Sequence, residues 1–392
     1  MRWNAKQEQA LEKFHEWLKS PNRPFVLQGY AGTGKTTLTK QFLHMLEPGT
    51  AMALMAPTGK AARVMSNKTG VKATTIHKIL YTPAEDEIKN LRDHLTYLHG
   101  QEELGEDRQD EITRVEEYIR ELSIDNRVRF VKKFGIGEAY DILFVDEASM
   151  IGTKIYNDIV ELGIPTVMIG DPFQLPPVKD VAGWDKLEPD IVLTEIMRTT
   201  GEGAGINLAA QAVRIDEPME EGPGFFMHPR GTLDWQEYAS ADIVLCGTHV
   251  VRNRMNKGIR KHLGYPEGTV VAGEKLICLS NSPAWDVVNG EIFTVQQVIS
   301  EDKRTIKIIG ENDLGELKRL SLWRDLLLDD SNTQVVPYSA VPMTYAYAIT
   351  VHKSQGSEWD KVMVLDSWRG PKFDSWLYTG ITRGAKETHF VR

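Results

Sequence analysis

The chain has 392 residues, of which 41% are hydrophobic and 26% charged, a composition that excludes fibrous and intrinsically disordered proteins. Its 46 Lys and Arg against 55 Asp and Glu give a net charge of −9, which excludes a uniformly basic surface, so any polyanion site must be local. The two cysteines, Cys246 and Cys278, are too few for a disulfide framework or a zinc ribbon.

Neither a signal peptide nor a membrane span is predicted. The first ten residues lack the basic and then apolar order of a signal peptide, and no apolar run reaches the ~18 residues that a span needs. We therefore expect a cytoplasmic protein with no membrane partner.

Short apolar segments alternate with helical patterns along most of the chain. Segments typical of buried parallel strands are residues 25–27, 52–55, 142–145 and 167–169. A second series comprises residues 243–246, 343–349, 362–365 and 388–391. The alternation predicts an α/β fold of two domains, each with a parallel sheet that binds its ligand at the carboxyl ends of the strands.

A glycine-rich loop lies between the first strand and the helix after it. Residues 29–36 read Gly-Tyr-Ala-Gly-Thr-Gly-Lys-Thr. In such a P-loop the backbone N–H groups face phosphates, Lys35 reaches the β- and γ-phosphates, and the Thr36 hydroxyl binds Mg²⁺. The strand, loop and helix together predict a nucleotide site.

An acidic insertion occupies residues 85–129, whose 14 acidic and 7 basic side chains carry −7 of the net charge of −9. Two sets of apolar residues recur at intervals of three and four: Ile88, Leu91, Leu95 and Leu98, then Ile112, Val115, Ile119 and Leu122. The pattern predicts an antiparallel helical hairpin. The alternative is two unrelated helices on the surface of the main body.

The strand at residues 142–145 delivers two carboxylates at its C-terminal end, Asp146 and Glu147. Beside a P-loop, Asp146 would hold Mg²⁺, and Glu147 would orient and deprotonate the attacking water. Without a P-loop the same pattern more often marks a solvated turn, so the catalytic interpretation depends on the loop.

Residues 276–340 predict a small antiparallel β module. Its strand-like segments are residues 276–279, 292–295 and 306–309, with Asn289-Gly290 between the first two.

A P-loop by itself leaves a kinase, a transporter motor and a translocase open, and later segments decide among them. These segments are residues 56–62, 74–77, 146–150, 170–178, 350–358 and 378–383. In this order they resemble the motifs of superfamily 1 helicases, in the branch of the Dda-like and RecD-type enzymes. The resemblance extends from Asn4 to Arg383 and implies 5′-to-3′ movement on single-stranded DNA, driven by ATP with Mg²⁺.

The resemblance implies roles for individual residues. Catalysis is implied for Lys35, Asp146, Glu147, the γ-phosphate sensor Gln174 and two arginine fingers, Arg198 and Arg383. Nucleotide contacts are implied for Asn4, Gln7, Gly29, Gly32, Thr33, Gly34, Lys35, Thr36, Thr37, Gly356 and Glu358, with Thr36 and Asp146 as Mg²⁺ ligands. Contacts with the DNA backbone are implied for Pro57, Thr58, Lys60, Thr75, His77, Thr350, His352 and Gln355.

The resemblance also implies two RecA-like P-loop domains with two insertions. The first domain would comprise residues 1–80 and 130–199, and the second residues 200–275 and 341–392. The insertions would be a helical arm with the pin region at 81–129 and a small SH3-type β-barrel at 276–340. The aromatic residue that meets the fork stays open between Tyr81 and Phe134.

The expected partners are single-stranded and forked DNA, and the chain is expected to act as a monomer. The charge of the arm would repel a phosphate backbone, so we expect the arm to brace the β module or to bind a replication or recombination protein. Two other functions stay open: a translocase that strips proteins from DNA or RNA without unwinding it, and a nucleic-acid clamp switched by ATP.

Overall fold

The computed structural model describes residues 3–100, 106–123, 130–177, 180–197, 203–331 and 333–392. The helices are α1 (Ala5–Leu18), α2 (Lys35–His44), α3 (Gly59–Thr69), α4 (Ile76–Leu80), α5 (Ala84–His99), α6 (Glu106–Ser123), α7 (Ile136–Ala139), α8 (Thr153–Val160), α9 (Ala204–Arg214), α10 (Trp235–Ala239), α11 (His249–His262), α12 (Asp325–Leu328) and α13 (Phe373–Ile381). The strands are β1 (Phe25–Gly29), β2 (Met52–Ala56), β3 (Ala73–Thr75), β4 (Tyr81–Pro83), β5 (Phe130–Lys132), β6 (Ile142–Val145), β7 (Thr166–Gly170), β8 (Ile191–Leu193), β9 (Phe225–His228), β10 (Ile243–Cys246), β11 (Lys275–Cys278), β12 (Ile292–Glu301), β13 (Thr305–Asn312), β14 (Leu317–Trp323), β15 (Met343–Tyr345), β16 (Ala348–Thr350), β17 (Trp359–Leu365) and β18 (Gly384–Val391).

The first unit of the fold is built on a parallel sheet in the order β3–β2–β6–β7–β1–β8. Its strands β1, β6 and β7 alternate side chains between two apolar layers. Phe25 and Phe144 pack with Phe14 of α1 and Phe42 of α2 on one face, while Trp184 belongs to the layer on the other. Both faces are covered, and the strands therefore read as continuous apolar segments. The predicted α/β character of this unit is confirmed.

The second unit is built on a parallel sheet in the order β16–β10–β17–β18–β9. Helices α9 and α13 pack on one face, where Phe225, Trp376 and Tyr378 are buried, and α11 packs on the other through Met255 and Ile259. This sheet confirms the second α/β series.

The expectation of one strand over residues 343–349 is wrong. Strand β15 pairs antiparallel with β11, whereas β16 pairs parallel with β10, so the chain passes from one sheet to another within this segment. The backbone at the crossing serves both sheets: Ala346 N–H donates to Lys275 O at 2.8 Å, and Tyr347 O accepts from Val244 N–H at 2.8 Å. The apolar pattern is uniform because both sheets bury this segment.

The β module is an antiparallel sheet in the order β14–β13–β12–β11–β15. Its core is formed by alternate residues of the long hairpin β12–β13 and of β14, among them Phe293, Ile308 and Leu320. The predicted antiparallel pairing is confirmed, but the sheet begins at Lys275 and takes in β15, beyond the predicted limits of 276–340.

Helices α5 and α6 pack on each other through the predicted seam. Leu91, Val115 and Leu122 are buried between them, and His94 Nε2 lies 2.8 Å from Glu111 Oε1 across the pair. At the base of this arm, β4 and β5 form an antiparallel ribbon that carries the chain out of the first unit and back. Within the described residues, no helix is long and apolar enough to cross a membrane.

The β module is held against the first unit by α3. Arg63 Nη1 lies 2.6 Å from Glu291 Oε1, and Lys60 Nζ lies 2.8 Å from Asp313 Oδ2. A Cβ atom at Gly59 would lie 2.8 Å from the Val288 side chain, so this glycine permits the close approach. A brace of the β module, which was one of the two functions expected of the arm, is therefore provided by α3.

Candidate nucleotide site and nucleic-acid groove

The P-loop joins the end of β1 to the start of α2. Gly32 and Gly34 have φ angles of 79° and 88°, which L side chains rarely adopt. A Cβ atom at Gly29 would lie 2.7 Å from Thr33 Oγ1, so the loop is too tight for a side chain there. Gly34 is the N-cap of α2 and has no side chain to cap it, which leaves the helix N-terminus open to an anion.

The Lys35 ammonium lies inside the loop. Its Nζ donates to Gly29 O at 2.7 Å and to Tyr30 O at 3.0 Å. Thr36 and Thr37 follow in the first turn of α2, and the Thr33 hydroxyl donates to Tyr30 O at 2.8 Å. The loop thus presents a cation and hydroxyl groups around a helix N-terminus, as phosphate binding requires.

Asn4 and Gln7 connect the start of α1 to the P-loop. They form a capping box in which Gln7 N–H donates to Asn4 Oδ1 at 2.8 Å and Asn4 N–H donates to Gln7 Oε1 at 3.1 Å. Gln7 Nε2 also donates to Thr33 O at 3.2 Å. Because an amide group has two donor hydrogens and two acceptor lone pairs, Gln7 can hold the loop and still bind the edge of a base.

Asp146 and Glu147 lie at the C-terminal end of β6. Burial, and then the charge of Glu147, raise the pKa of Asp146 to about 7. Glu147 has φ 52°, an uncommon left-handed conformation for a residue with a side chain, and its N–H donates to Asp146 Oδ1 at 2.9 Å. Two adjacent carboxylates are therefore held at the carboxyl edge of the sheet, the edge at which the P-loop begins.

Among the described residues, buried oxygen atoms without a hydrogen-bond partner are found in the segment that follows β6 and in the segment that follows β7. In the part of the chain that the structure describes, these include Glu147 Oε2, Ser149 Oγ and Gln174 Oε1. A buried polar atom costs free energy when it makes no hydrogen bond, and native proteins seldom retain one without a ligand, water or functional reason.

The segment from Asp171 to Leu175, which comes after β7, is bonded to the second unit. Tyr378 OH donates to Asp171 Oδ2 at 2.8 Å and accepts from Ala31 N–H of the P-loop at 3.2 Å. Leu175 N–H donates to Thr379 Oγ1 at 2.9 Å, and Leu175 O accepts from Gln355 Nε2 at 3.1 Å. Burial and the Asp171 charge raise the pKa of Tyr378, so its hydroxyl stays protonated as this bridge requires.

Arg383 is buried and bonded within the second unit. Its Nε donates to Thr379 O at 3.0 Å, Nη1 to Ser357 O at 3.1 Å, and Nη2 to Thr382 Oγ1 at 3.3 Å. Arg198, the other predicted finger, lies outside the described residues. In this conformation the Arg383 guanidinium is hydrogen-bonded to Thr379 of α13 and to Ser357 and Thr382 of the same unit.

Gly356 and Glu358, both predicted at the nucleotide, lie in the second unit: Gly356 in the turn that precedes β17, and Glu358 directly before that strand. Gly356 has φ 75°, and the atoms nearest to a Cβ built there all belong to Ala61 of α3. Glu358 is exposed. The structure thus places Gly356 against the helix that comes after β2 in the first unit.

A groove between the two units brings all eight predicted DNA-contact residues together. It consists of two adjoining cavities of about 570 and 230 Å³. Between them the cavities are lined by Pro57, Thr58, Lys60, Thr75, His77, Thr350, His352 and Gln355.

Several of these side chains are already engaged within the protein. Thr58 Oγ1 accepts from Ala61 N–H at 3.1 Å and Thr75 Oγ1 from Lys78 N–H at 3.3 Å, so both cap helices. Lys60 is paired with Asp313, and burial lowers the pKa of His352, which is neutral at pH 7. The predicted cation of Lys60 is therefore neutralised by a carboxylate in this conformation.

Other residues of the groove were not predicted from the sequence. Met150 and Ile155 form an apolar part of its wall, while His249 and Lys353 contribute polar groups from the second unit. Met150 ends the motif at residues 146–150, but neither it nor Ile155 was given a role, because apolar residues predict a buried core. Burial lowers the pKa of Lys353.

Comparison with known proteins identifies the family. The model of an AAA domain matches residues 2–222, which is more than half of the chain. The chain belongs to this AAA-domain family. A UvrD-like helicase C-terminal domain matches residues 345–391 of the same AAA-domain chain. The two matches and the similarity to curated DNA helicases confirm the predicted resemblance to superfamily 1 helicases of the Dda-like and RecD-type branch.

The AAA-domain chain is similar to several curated helicases. It is 25% identical to the ATP-dependent RecD2 DNA helicase of Deinococcus radiodurans, over 92% of this chain and 46% of that protein. It is 23% identical to the ATP-dependent DNA helicase Pif1 of Bdellovibrio bacteriovorus, over 93% of this chain and 83% of that protein. The chain thus spans about half the length of RecD2 and most of Pif1.

Solved structures show the same fold. Pif1 helicase from Bacteroides in complex with ADP-AlF3 and single-stranded DNA matches 100% of this chain and 92% of that one, with a TM-score of 0.58 and 18% identity. Pif1 helicase from Candida albicans matches 100% and 94%, with a TM-score of 0.58 and 17% identity. The AAA-domain chain therefore has the α/β architecture of these helicases.

Proposed function

We propose that the protein is an ATP-dependent DNA helicase that moves 5′-to-3′ on single-stranded DNA and unwinds duplex. The observation that carries this proposal is the segment from Asp171 to Pro177. At one end Asp171 is linked through Tyr378 to the P-loop, and at the other Pro176 and Pro177 line the groove. A change at the nucleotide would therefore have to pass through only seven residues to reach the groove.

ATP would bind at the P-loop with Mg²⁺. Thr36 and Asp146 would hold the metal, since Mg²⁺ prefers hydroxyl and carboxylate oxygens, and its charge would stabilise the phosphate oxygens. Glu147 Oε2 and Gln174 Oε1 are buried acceptors without a hydrogen-bond partner among the described residues, so either could accept a hydrogen bond from the attacking water. Glu147 would take a proton from the attacking water, and Lys35 would leave the loop carbonyls for the phosphates.

Single-stranded DNA would lie in the groove between the units. Threonine hydroxyls and helix N-termini can bind the phosphates of the backbone, and such contacts carry no sequence information. Neutral His352 and the paired Lys60 add little positive charge, so we expect a modest salt dependence of binding. The Bacteroides Pif1 that shares this fold is bound to single-stranded DNA.

In this proposal the two units are RecA-like domains, with the divisions predicted from the sequence. The arm, residues 81–129, is inserted in the first domain, and the β module is an SH3-type domain inserted in the second. The antiparallel order β14–β13–β12–β11–β15 of the module supports this assignment, with Lys275 and β15 included in its sheet.

A strand-displacement assay with 5′-tailed and 3′-tailed duplexes tests the proposal. We expect ATP-dependent release of the strand only from the 5′-tailed duplex, and none with a non-hydrolysable ATP analogue. ATP hydrolysis stimulated by single strands, with displacement of a bound protein but no release of a strand, would instead identify a translocase. Binding that depends on ATP without DNA-stimulated turnover would identify a clamp.

The acidic arm is proposed to stand away from the bound strand. Its main contacts are between α5 and α6 and with the ribbon β4–β5, and its surface charge opposes phosphate. Replacing residues 86–126 by a short Gly/Ser linker should leave single-strand affinity and DNA-stimulated hydrolysis within about threefold of wild type while unwinding falls. A tenfold loss of single-strand affinity, about 1.4 kcal/mol, would assign the arm to the DNA track.

The ribbon at the base of the arm offers a candidate for the residue that meets the fork. Tyr81 donates its hydroxyl to Asp158, and Phe134 packs against Tyr118 with ring centroids 6.0 Å apart, so both predicted rings are engaged. Phe130, at the start of β5, is 71% exposed. In the same unwinding assay, the single substitution Phe130→Ala in a protein with an intact arm should lower unwinding. The matched control is Lys154→Ala, an exposed residue that lines the same cavity as Phe130.

A further inference from the structure

The guanidinium of Arg214 lies in a cage of three aromatic rings. Arg214 ends α9, and its Cζ lies 3.6 Å from the ring centroid of Tyr30 and 5.8 Å from those of Phe173 and Tyr378. A guanidinium is attracted to the face of an aromatic ring within about 6 Å. Arg214 and Tyr378 belong to the second unit, while Tyr30 and Phe173 belong to the first, so the cage spans the cleft.

Each ring of the cage is part of a nucleotide motif. Tyr30 lies within the P-loop, Phe173 directly precedes Gln174, and Tyr378 lies on the helix that leads to Arg383. The Phe173 ring centroid lies 5.7 Å from that of Tyr30 and 6.1 Å from that of Tyr378. A movement of any of these motifs therefore changes the surroundings of one cation.

Arg214 is held by these rings without full hydrogen bonding. Its Nη1 atom is buried and, among the described residues, has no hydrogen-bond partner. Leaving a buried guanidinium N–H unpaired is unfavourable, so the contact with the rings is retained against a cost. Attraction to ring faces has no single acceptor direction, and it can be broken and remade as two units move.

Helix α9 cannot follow the P-loop independently of the second unit. Its residues Ile206, Ala209 and Ala210 are buried in the same core as Trp376 and Ile381 of α13. The position of Arg214 over Tyr30 is consequently set by the position of the whole second unit. Conversely, a change in the P-loop that moves the Tyr30 ring acts on that unit.

We infer that Arg214 is a positioning residue that couples the P-loop to the second unit, so that DNA in the groove accelerates ATP hydrolysis through the cage. This inference rests on the proposed function. Its role differs from that of an arginine finger, because the guanidinium acts on the Tyr30 ring and leaves the phosphates to other residues.

The test compares ATP hydrolysis with and without single-stranded oligothymidylate. Arg214→Met, which keeps an unbranched side chain but no charge, should lower the DNA-stimulated kcat at least about fivefold, within the usual range of coupling between sites. The KM for ATP without DNA and the melting temperature should stay near wild type. Arg214→Lys should recover most of the stimulation, because an ammonium is also attracted to the rings.

Two further variants make the test specific. Gln211→Ala, an exposed change on the same helix, should keep wild-type stimulation. The double variant Tyr30→Leu/Arg214→Met should lose no more stimulation than the more impaired of the two single variants. Both substitutions remove the same contact, that between Arg214 and Tyr30. Wild-type stimulation in Arg214→Met, no recovery in Arg214→Lys, or additive losses in the double variant would each overturn this inference alone. A wild-type protein without DNA stimulation would overturn the proposed function and this role with it.

Discussion

Glu147→Gln is expected to slow ATP hydrolysis by roughly 10²-fold or more, the contribution of a general base. The amide has the shape of the carboxylate but cannot accept a proton from water at neutral pH. The Oε2 atom of Glu147 is buried and has no hydrogen-bond partner within the described residues, so the substitution breaks no internal bond of that atom. ATP binding should therefore persist while turnover is lost.

Single-turnover hydrolysis and equilibrium binding of a fluorescent ATP analogue measure the two effects separately. Glu138→Gln, an exposed carboxylate of the first unit, is the matched control and should hydrolyse ATP like the wild type. Wild-type turnover in Glu147→Gln would remove this residue from the mechanism. Loss of nucleotide binding would show that the carboxylate acts on the ground state.

Arg383→Ala is expected to abolish most DNA-stimulated hydrolysis, by about 10³-fold, while nucleotide affinity stays within about tenfold. The guanidinium is bonded to Thr379 O and Ser357 O in its own unit, so it must exchange these acceptors to reach a phosphate. The helix that precedes it, α13, already touches the P-loop through the hydrogen bond from Ala31 N–H to Tyr378 OH. Closure of the cleft would therefore bring the finger to the nucleotide.

The three internal hydrogen bonds of Arg383 require a stability control, so the melting temperature is measured with the kinetics. Arg383→Lys keeps the charge but lacks the planar fork, and should also lose most of the stimulation. Arg369→Ala, an exposed arginine of the second unit, should keep it. A folded Arg383→Ala protein that binds no ATP would assign the residue to ground-state binding.

The sequence by itself determined the local parts of this protein. The P-loop could be predicted because a strand, a glycine turn and a helix lie within twenty residues, and their spacing dictates the geometry. Asp146 and Glu147 could be placed because a buried parallel strand leads the residues after it to the carboxyl edge of the sheet. The seam of α5 and α6 could be predicted because helical periodicity is a property of adjacent turns.

Only the tertiary structure decided which partners these groups have. Lys60 was predicted to face DNA and is paired with Asp313, and Arg383 is held by carbonyl groups of its own unit. The segment 343–349 divides between two sheets although its apolar pattern is uniform. Arg214 meets Tyr30 although the two residues lie far apart in the sequence. Contacts between distant segments depend on how whole units pack, and the spacing of residues within one segment does not predict that packing.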